Sequence, residues 1–196
     1  ILLLQTVWLY NTYILLQGDI VEKSNNALEN AIKQEALQRL QVVFESGKAD
    51  EVMGGPLEEK GDVVNQDLHL QEALLKFGYP LLISRLDSLF VSKLEKWNIK
   101  TDVVLNHIQI KDKSIIQSIG SFNVFFLGSI KTKIIPIRQD KSEGIQAIIL
   151  NPYLIIFGRM GLLLIATVFM MLFVAACIVY QIKVIFFQNK IAKLRE

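Results

Sequence analysis

The chain has 196 residues, is 52% hydrophobic with a mean hydropathy of +0.37, and balances 21 Lys and Arg against 19 Asp and Glu. It is too apolar for an ordinary soluble domain of this length and too evenly charged to indicate a nucleic-acid partner, so a membrane segment is the first expectation. Its one cysteine, Cys177, can form no intrachain disulfide, which leaves packing alone to hold an exported domain together.

The first sixteen residues, ILLLQTVWLYNTYILL, are apolar but begin without Met and without a charged flank. Ile1 is therefore read as internal and most of a first membrane span as lying upstream, with a signal peptide as the alternative. Trp8, Tyr10 and Tyr13 crowd its far end, as aromatic residues do where a helix leaves the hydrocarbon. Residues 1–18 are assigned to the end of this span.

In NNALENAIKQEALQRLQVVF, Leu28, Ile32, Ala36, Leu40 and Phe44 recur at steps of four with charges on the other faces, the pattern of an amphipathic helix. The stripe reads as core contact with the domain's own sheet, the favoured assignment, or as a seam against a second protomer. Glu35 and Arg39 are expected to add an i to i+4 surface pair worth a few tenths of a kcal/mol. Periodicity then vanishes from Glu45 to Asn65, which predicts a long, mobile surface loop dispensable for folding. Its acids Glu45, Asp50, Glu51, Glu58, Glu59 and Asp62 match no calcium-loop spacing and read as a solvated charge run, and Gly54 and Gly55 before a proline read as turn residues.

A weak helix is predicted in QEALLKFG, ended by Gly78 and Pro80, and a stronger one from Arg85 to Trp97. Ser84 and Asp87 suggest a capping box there, Leu86, Leu89, Phe90, Leu94 and Trp97 share a face, and Asn98 stands near the C-terminal cap. Strands follow in TDVVLNHIQI, NVFFLGSIKTKIIPI and GIQAIILNP, separated by KDKSIIQSIG and by RQDKSEG, the latter a hairpin connection. Helices before strands with short links predict an α+β domain over residues 19–152, a mixed, PAS-like sensor with a long N-terminal helix and an antiparallel sheet. The periodicities nominate Ile32, Leu40, Phe44, Leu86, Phe90, Leu94, Val104, Ile108, Phe126, Ile134, Ile145, Ala147 and Ile149 as core.

Asn151 and Pro152 close the last strand, and Tyr153 and Arg159 mark a membrane interface. From Gly161 to Tyr180 the chain reads GLLLIATVFMMLFVAACIVY, apolar on every face and long enough as a helix to cross a bilayer core of about 30 Å. A second transmembrane helix is assigned to residues 153–182. Lys183, Lys190, Lys193 and Arg195 in the tail, residues 183–196, place the C-terminus in the cytoplasm.

Catalysis and metal binding need clustered His, Cys, Asp or Glu, and the chain has only His69 and His107. His107, between Asn106 and Gln109 in a strand, reads as a hydrogen-bonded sheet histidine rather than a ligand or pH sensor, and His69 reads as exposed. No phosphate loop, nucleophile elbow or nucleotide fingerprint is present, so no catalytic, cofactor-binding or metal residue is nominated.

The order of these features resembles the extracytoplasmic sensor region of two-component sensor histidine kinases. QTVWLYNTY stands at a span exit, ISRLDSLFVSKLEKWNI is similar to that family's segment preceding a strand, GIQAIILNP stands just ahead of a span, and FFQNKIAKLRE looks like the linker into a dimerisation helix. The resemblance implies a homodimer in a bacterial inner membrane with a periplasmic sensor domain. It also implies a phospho-accepting histidine beyond Glu196, a kinase core using ATP and Mg, and a cytoplasmic response regulator as partner; the extracytoplasmic ligand stays open. The competing assignments are the same architecture feeding another output, and a two-span envelope scaffold that binds protein without signalling.

Overall fold

The computed structural model describes residues 2–45, 63–120 and 128–193. Helix α1 spans Leu2–Glu45, α2 Val63–Lys76 and α3 Ile83–Lys96. Strands β1 (Val103–Gln109), β2 (Ile115–Ile119), β3 (Ser129–Lys131), β4 (Ile135–Pro136) and β5 (Glu143–Leu150) follow, and α4 (Pro152–Lys193) closes the described chain. The expected class, helix plus antiparallel sheet, is what forms.

Two compact units divide the chain. Gln17–Ile155 form one, and Ile1–Leu16 with Ile156–Glu196 form the other.

In the first unit the sheet runs β2-β1-β5-β3, with β4 beside β3 on the outer side of β5, and every pairing is antiparallel. β1 and β5 form the centre because they carry the densest β-branched and aliphatic runs. Val103, Val104, Leu105 and Ile108 are buried on β1, and Ile145, Ala147, Ile149 and Leu150 on β5. α3 packs on β1 and β2 through Leu86, Phe90 and Leu94, of which none is more than 1% exposed.

The helix ends follow local chemistry. Gly78, at φ +83°, stops α2: its N–H donates to Leu75 O at 2.9 Å and that of Tyr79 to Leu74 O at 2.9 Å. Asn98, at φ +58°, stops α3 in the same way, with Asn98 N–H on Glu95 O and Ile99 N–H on Leu94 O. Both are left-handed caps that satisfy carbonyls the helix would otherwise orphan. Pro152 opens α4 at the first helical position, where its missing N–H costs nothing.

Several expectations are corrected. α2 begins at Val63, eight residues before the predicted helix and inside the predicted loop; residues 46–62 of that loop and Phe126 lie outside the described residues. IIQSI, read as part of a connection, is strand β2. Ser84 and Asp87 make no capping box: α3 starts from Leu82, which has no side-chain cap of its own. Phe44 is 45% exposed and Val43 is buried in its place. Steps of four overshoot a 3.6-residue turn by about 40° each, so four steps carry Phe44 about 160° away from Leu28. The face that is buried instead runs Ile20, Ser24, Leu28, Ala31, Glu35, Arg39 and Val43. The predicted surface pair Glu35–Arg39 therefore lies inside. Leu40 and Ile134 are half-buried; the remaining described residues of the nominated core are buried.

In the second unit, half-buried residues of α1 recur at Gln5, Leu9, Thr12, Tyr13 and Leu16, one stripe at helical spacing. Tyr13 meets Phe157 of α4 with ring centroids 6.5 Å apart.

Candidate functional site

Three places in the chain gather polar or membrane-adapted chemistry. The first is the buried face of α1. Glu35 is fully buried, Arg39 is 3% exposed and Gln71 of α2 is 7% exposed. Arg39 Nε donates to Glu35 Oε2 at 2.8 Å, and its terminal nitrogens stand 2.7 Å from Glu35 Oε2, donate to Tyr79 O at 2.8 Å and donate to Gln71 Oε1. Glu35 Oε1 accepts the Leu82 N–H at 3.3 Å, and Gln71 Nε2 donates to Ile32 O at 3.5 Å. Burial pushes the Arg39 guanidinium below its usual range, while the Glu35 carboxylate opposes that shift by its charge and hydrogen bond. Glu35 thus occupies the N-terminus of α3, where a carboxylate is favoured by the exposed amides and the helix dipole. It supplies the cap that Ser84 does not.

The second place is the β4–β5 hairpin. His107 and Glu143 lie on the same face of the sheet, diagonal across β1 and β5, because His107 pairs with Ile145 and Gln109 with Glu143. His107 Nε2 stands 2.9 Å from Glu143 Oε2, and Arg138 donates to Glu143 Oε1 at 3.2 Å. Burial raises the Glu143 carboxyl, but the Arg138 hydrogen bond and charge, then those of His107, outweigh it and hold the group below its usual range. His69 is exposed and meets Gln139 through Nδ1. An open polar concavity of about 550 Å³ is lined by Glu72, Arg138, Gln139, Asp140, Ser142 and Glu143. Ser142 satisfies Asp140, Arg138 and His107 satisfy Glu143, and Lys76 stands 3.6 Å from Glu72. The concavity's carboxylates are thus engaged with the protein itself. Among the described residues, no group of three His, Cys, Asp or Glu is placed to hold a metal ion.

A third feature is α4. Pro152–Gln188 is, among the described residues, the one helix long and apolar enough to cross a membrane; its most apolar stretch of 18 residues has a mean hydropathy of 3.0 and is 6% buried. Leu162, Phe169, Leu172, Phe173 and Phe186 are each more than 60% exposed. Such an all-round apolar surface matches the length and composition of a membrane span. Cys177 lies exposed on this helix.

Sequence reasoning identified His107 as a bonded sheet residue but could not name its partner, which the β1–β5 register supplies. It missed the buried role of Glu35 and Arg39; the signal was present in their 3.6-residue phase with Ile20, Ser24 and Leu28. Comparison with protein-family models, with curated proteins and with solved structures finds no match.

Proposed function

We propose that this chain is the input region of a membrane-bound two-component sensor histidine kinase. In this reading Gln17–Ile155 is a periplasmic sensor domain in a bacterial inner membrane. The start of α1 completes a first span, α4 is the second, and the chain works as a homodimer whose stimulus shifts helix geometry across the bilayer. Catalysis belongs to a cytoplasmic core beyond Glu196 that uses ATP and Mg and phosphorylates a response regulator. The observation that carries the reading is α4 itself, a helix with an all-round apolar surface joined without a break to the α+β unit at Pro152. A domain tethered in this way signals through the lipid only by moving helices, since backbone in hydrocarbon must stay helical.

Two measurements on the full-length gene product test it. Alkaline phosphatase inserted at the Lys113 turn should be active and a fluorescent protein placed after Glu196 should fluoresce; the reverse pattern sinks the orientation. Membranes supplied with radiolabelled ATP should acquire acid-labile, base-stable phosphate on a histidine. Correct topology without phosphohistidine would favour the envelope-scaffold reading.

A further inference from the structure

The buried face of α1 nearly repeats itself every turn. Ile20, Ser24, Leu28, Ala31, Ile32, Ala36 and Val43 are small or aliphatic, and a slide of one turn, about 5.4 Å, brings each close to its neighbour's former place. Apolar contact is non-directional, so such a slide leaves much of the burial intact. Glu35 and Arg39 are the exception on this face; off it, Asn25 Oδ1 accepts the Lys133 N–H at 2.8 Å and Lys33 stands 3.0 Å from Asp67, two exposed contacts that water can replace at little cost. One turn before Glu35 stand Ala31 and Ile32, and one turn after Arg39 stands Val43, none of which can meet the Tyr79 carbonyl, the Gln71 amide oxygen or the Leu82 amide. These partners sit 32 to 47 residues away, on α2 and on the 79–82 connection into α3. The network therefore picks one axial register out of several that packing alone would accept, the best-attested role for a buried polar group.

We infer that the Glu35–Arg39–Gln71 network is a latch that holds α1 in one register against α2 and α3, and that opening it is the step a stimulus must drive. The inference deepens the sensor reading and rests on it for its biological meaning. An element with two discrete registers switches by a ratchet of about one helical turn rather than by gradual bending. Latched, α1 is pinned at Tyr79 and Leu82; released, the apolar stripe re-seats a turn away.

The test uses the whole chain in lipid nanodiscs, with Cys177→Ser as background and spin labels at the exposed positions Asn30→Cys and Ser88→Cys. Labelled chain is diluted with unlabelled chain so that distances within one copy dominate. The unaltered network should give a single narrow distance peak. Glu35→Leu combined with Arg39→Met removes both charges together; it should keep the thermal midpoint within a few degrees while the peak broadens or splits by up to about 5.4 Å. Glu35→Gln keeps an acceptor for the Leu82 amide but weakens the hold on Arg39, and should broaden the peak in a fold whose core is unaltered. If the double variant fails to fold, the peak of Glu35→Gln decides. One unshifted peak in every folded variant overturns the latch, whatever the thermal midpoint does. No output is assayed, so this failure leaves the sensor reading standing, and a missing phosphohistidine leaves the latch standing.

Discussion

At the scale of single residues, the largest energies sit where a side chain has no alternative environment. Phe90 is fully buried at the contact of α3 with the sheet, so Phe90→Ala should cost about 3–5 kcal/mol by chemical denaturation. Phe44→Ala, at an exposed position of α1, should stay within about 0.5 kcal/mol. Gly120 stands at φ +127°, and a Cβ there would fall 2.4 Å from Val103 O and 2.8 Å from Val104 Cα, both backbone atoms that cannot rotate away. Gly120→Ala should destabilise by at least about 1–3 kcal/mol. Glu143 sets a pH dependence. Its folded value lies below the ordinary 4.5, so its contribution is complete above that value and is lost as pH falls through the lower folded one. Thermal midpoints measured below pH 4.5 should fall less steeply for Glu143→Gln than for the unaltered chain; parallel curves would show that the Arg138 and His107 contacts add nothing.

At the scale of elements, what the sequence disclosed was what local chemistry decides. Gly78 and Asn98 marked their helix ends because few residues accept a left-handed backbone, and β1 and β5 showed in their Val and Ile runs. Asn98→Gly, which removes the Cβ cost at φ +58°, should therefore raise stability by a few tenths to about 1 kcal/mol, read as a shift in thermal midpoint. What stayed hidden depended on partners far along the chain. β2 is a strand because Leu105 to Ile108 offer it a ladder, not because IIQSI stands out from its polar neighbours. The N-terminus of α3 is capped by a carboxylate 47 residues upstream, so a local capping box was the wrong place to look. Ser84→Ala should accordingly leave stability within about 0.5 kcal/mol. The buried ion pair was misplaced because a four-residue step stood in for a helical turn.

At the scale of the whole molecule, α4 is one uninterrupted helix of 42 residues, about 63 Å at 1.5 Å per residue and about twice the hydrocarbon thickness. In the proposed receptor, Ala insertions after Gln181 should rotate whatever follows by about 100° each, and output in a full-length kinase assay should oscillate with a period of about 3.6 residues. A Gly pair at the same place should uncouple it, since each Gly costs about 1 kcal/mol of helix propensity and frees the backbone. A flat response to every insertion would show that the helix anchors the protein without conducting a signal.

The outermost strand of the sheet carries one more consequence, for how the protein behaves at high concentration. Among the described residues β2 has a ladder partner on one side only, and its Ile115 and Ile116 are 59% and 51% exposed on opposite faces. A short, uncharged, β-prone segment at a free edge is a template for unwanted pairing between molecules. Lys111, Asp112 and Lys113 lie in the turn just before it, separated from Ile115 by Ser114, the position in which charged residues flanking an apolar strand act as gatekeepers. Asp112 also holds the turn, accepting the Ser114 N–H at 3.1 Å and its hydroxyl at 2.8 Å, whereas among the described residues neither lysine makes such a bond there. Replacing both lysines with Ala should therefore leave the fold and its melting unchanged while light scattering from concentrated samples rises; no rise would show that the free edge is guarded by something other than their charge.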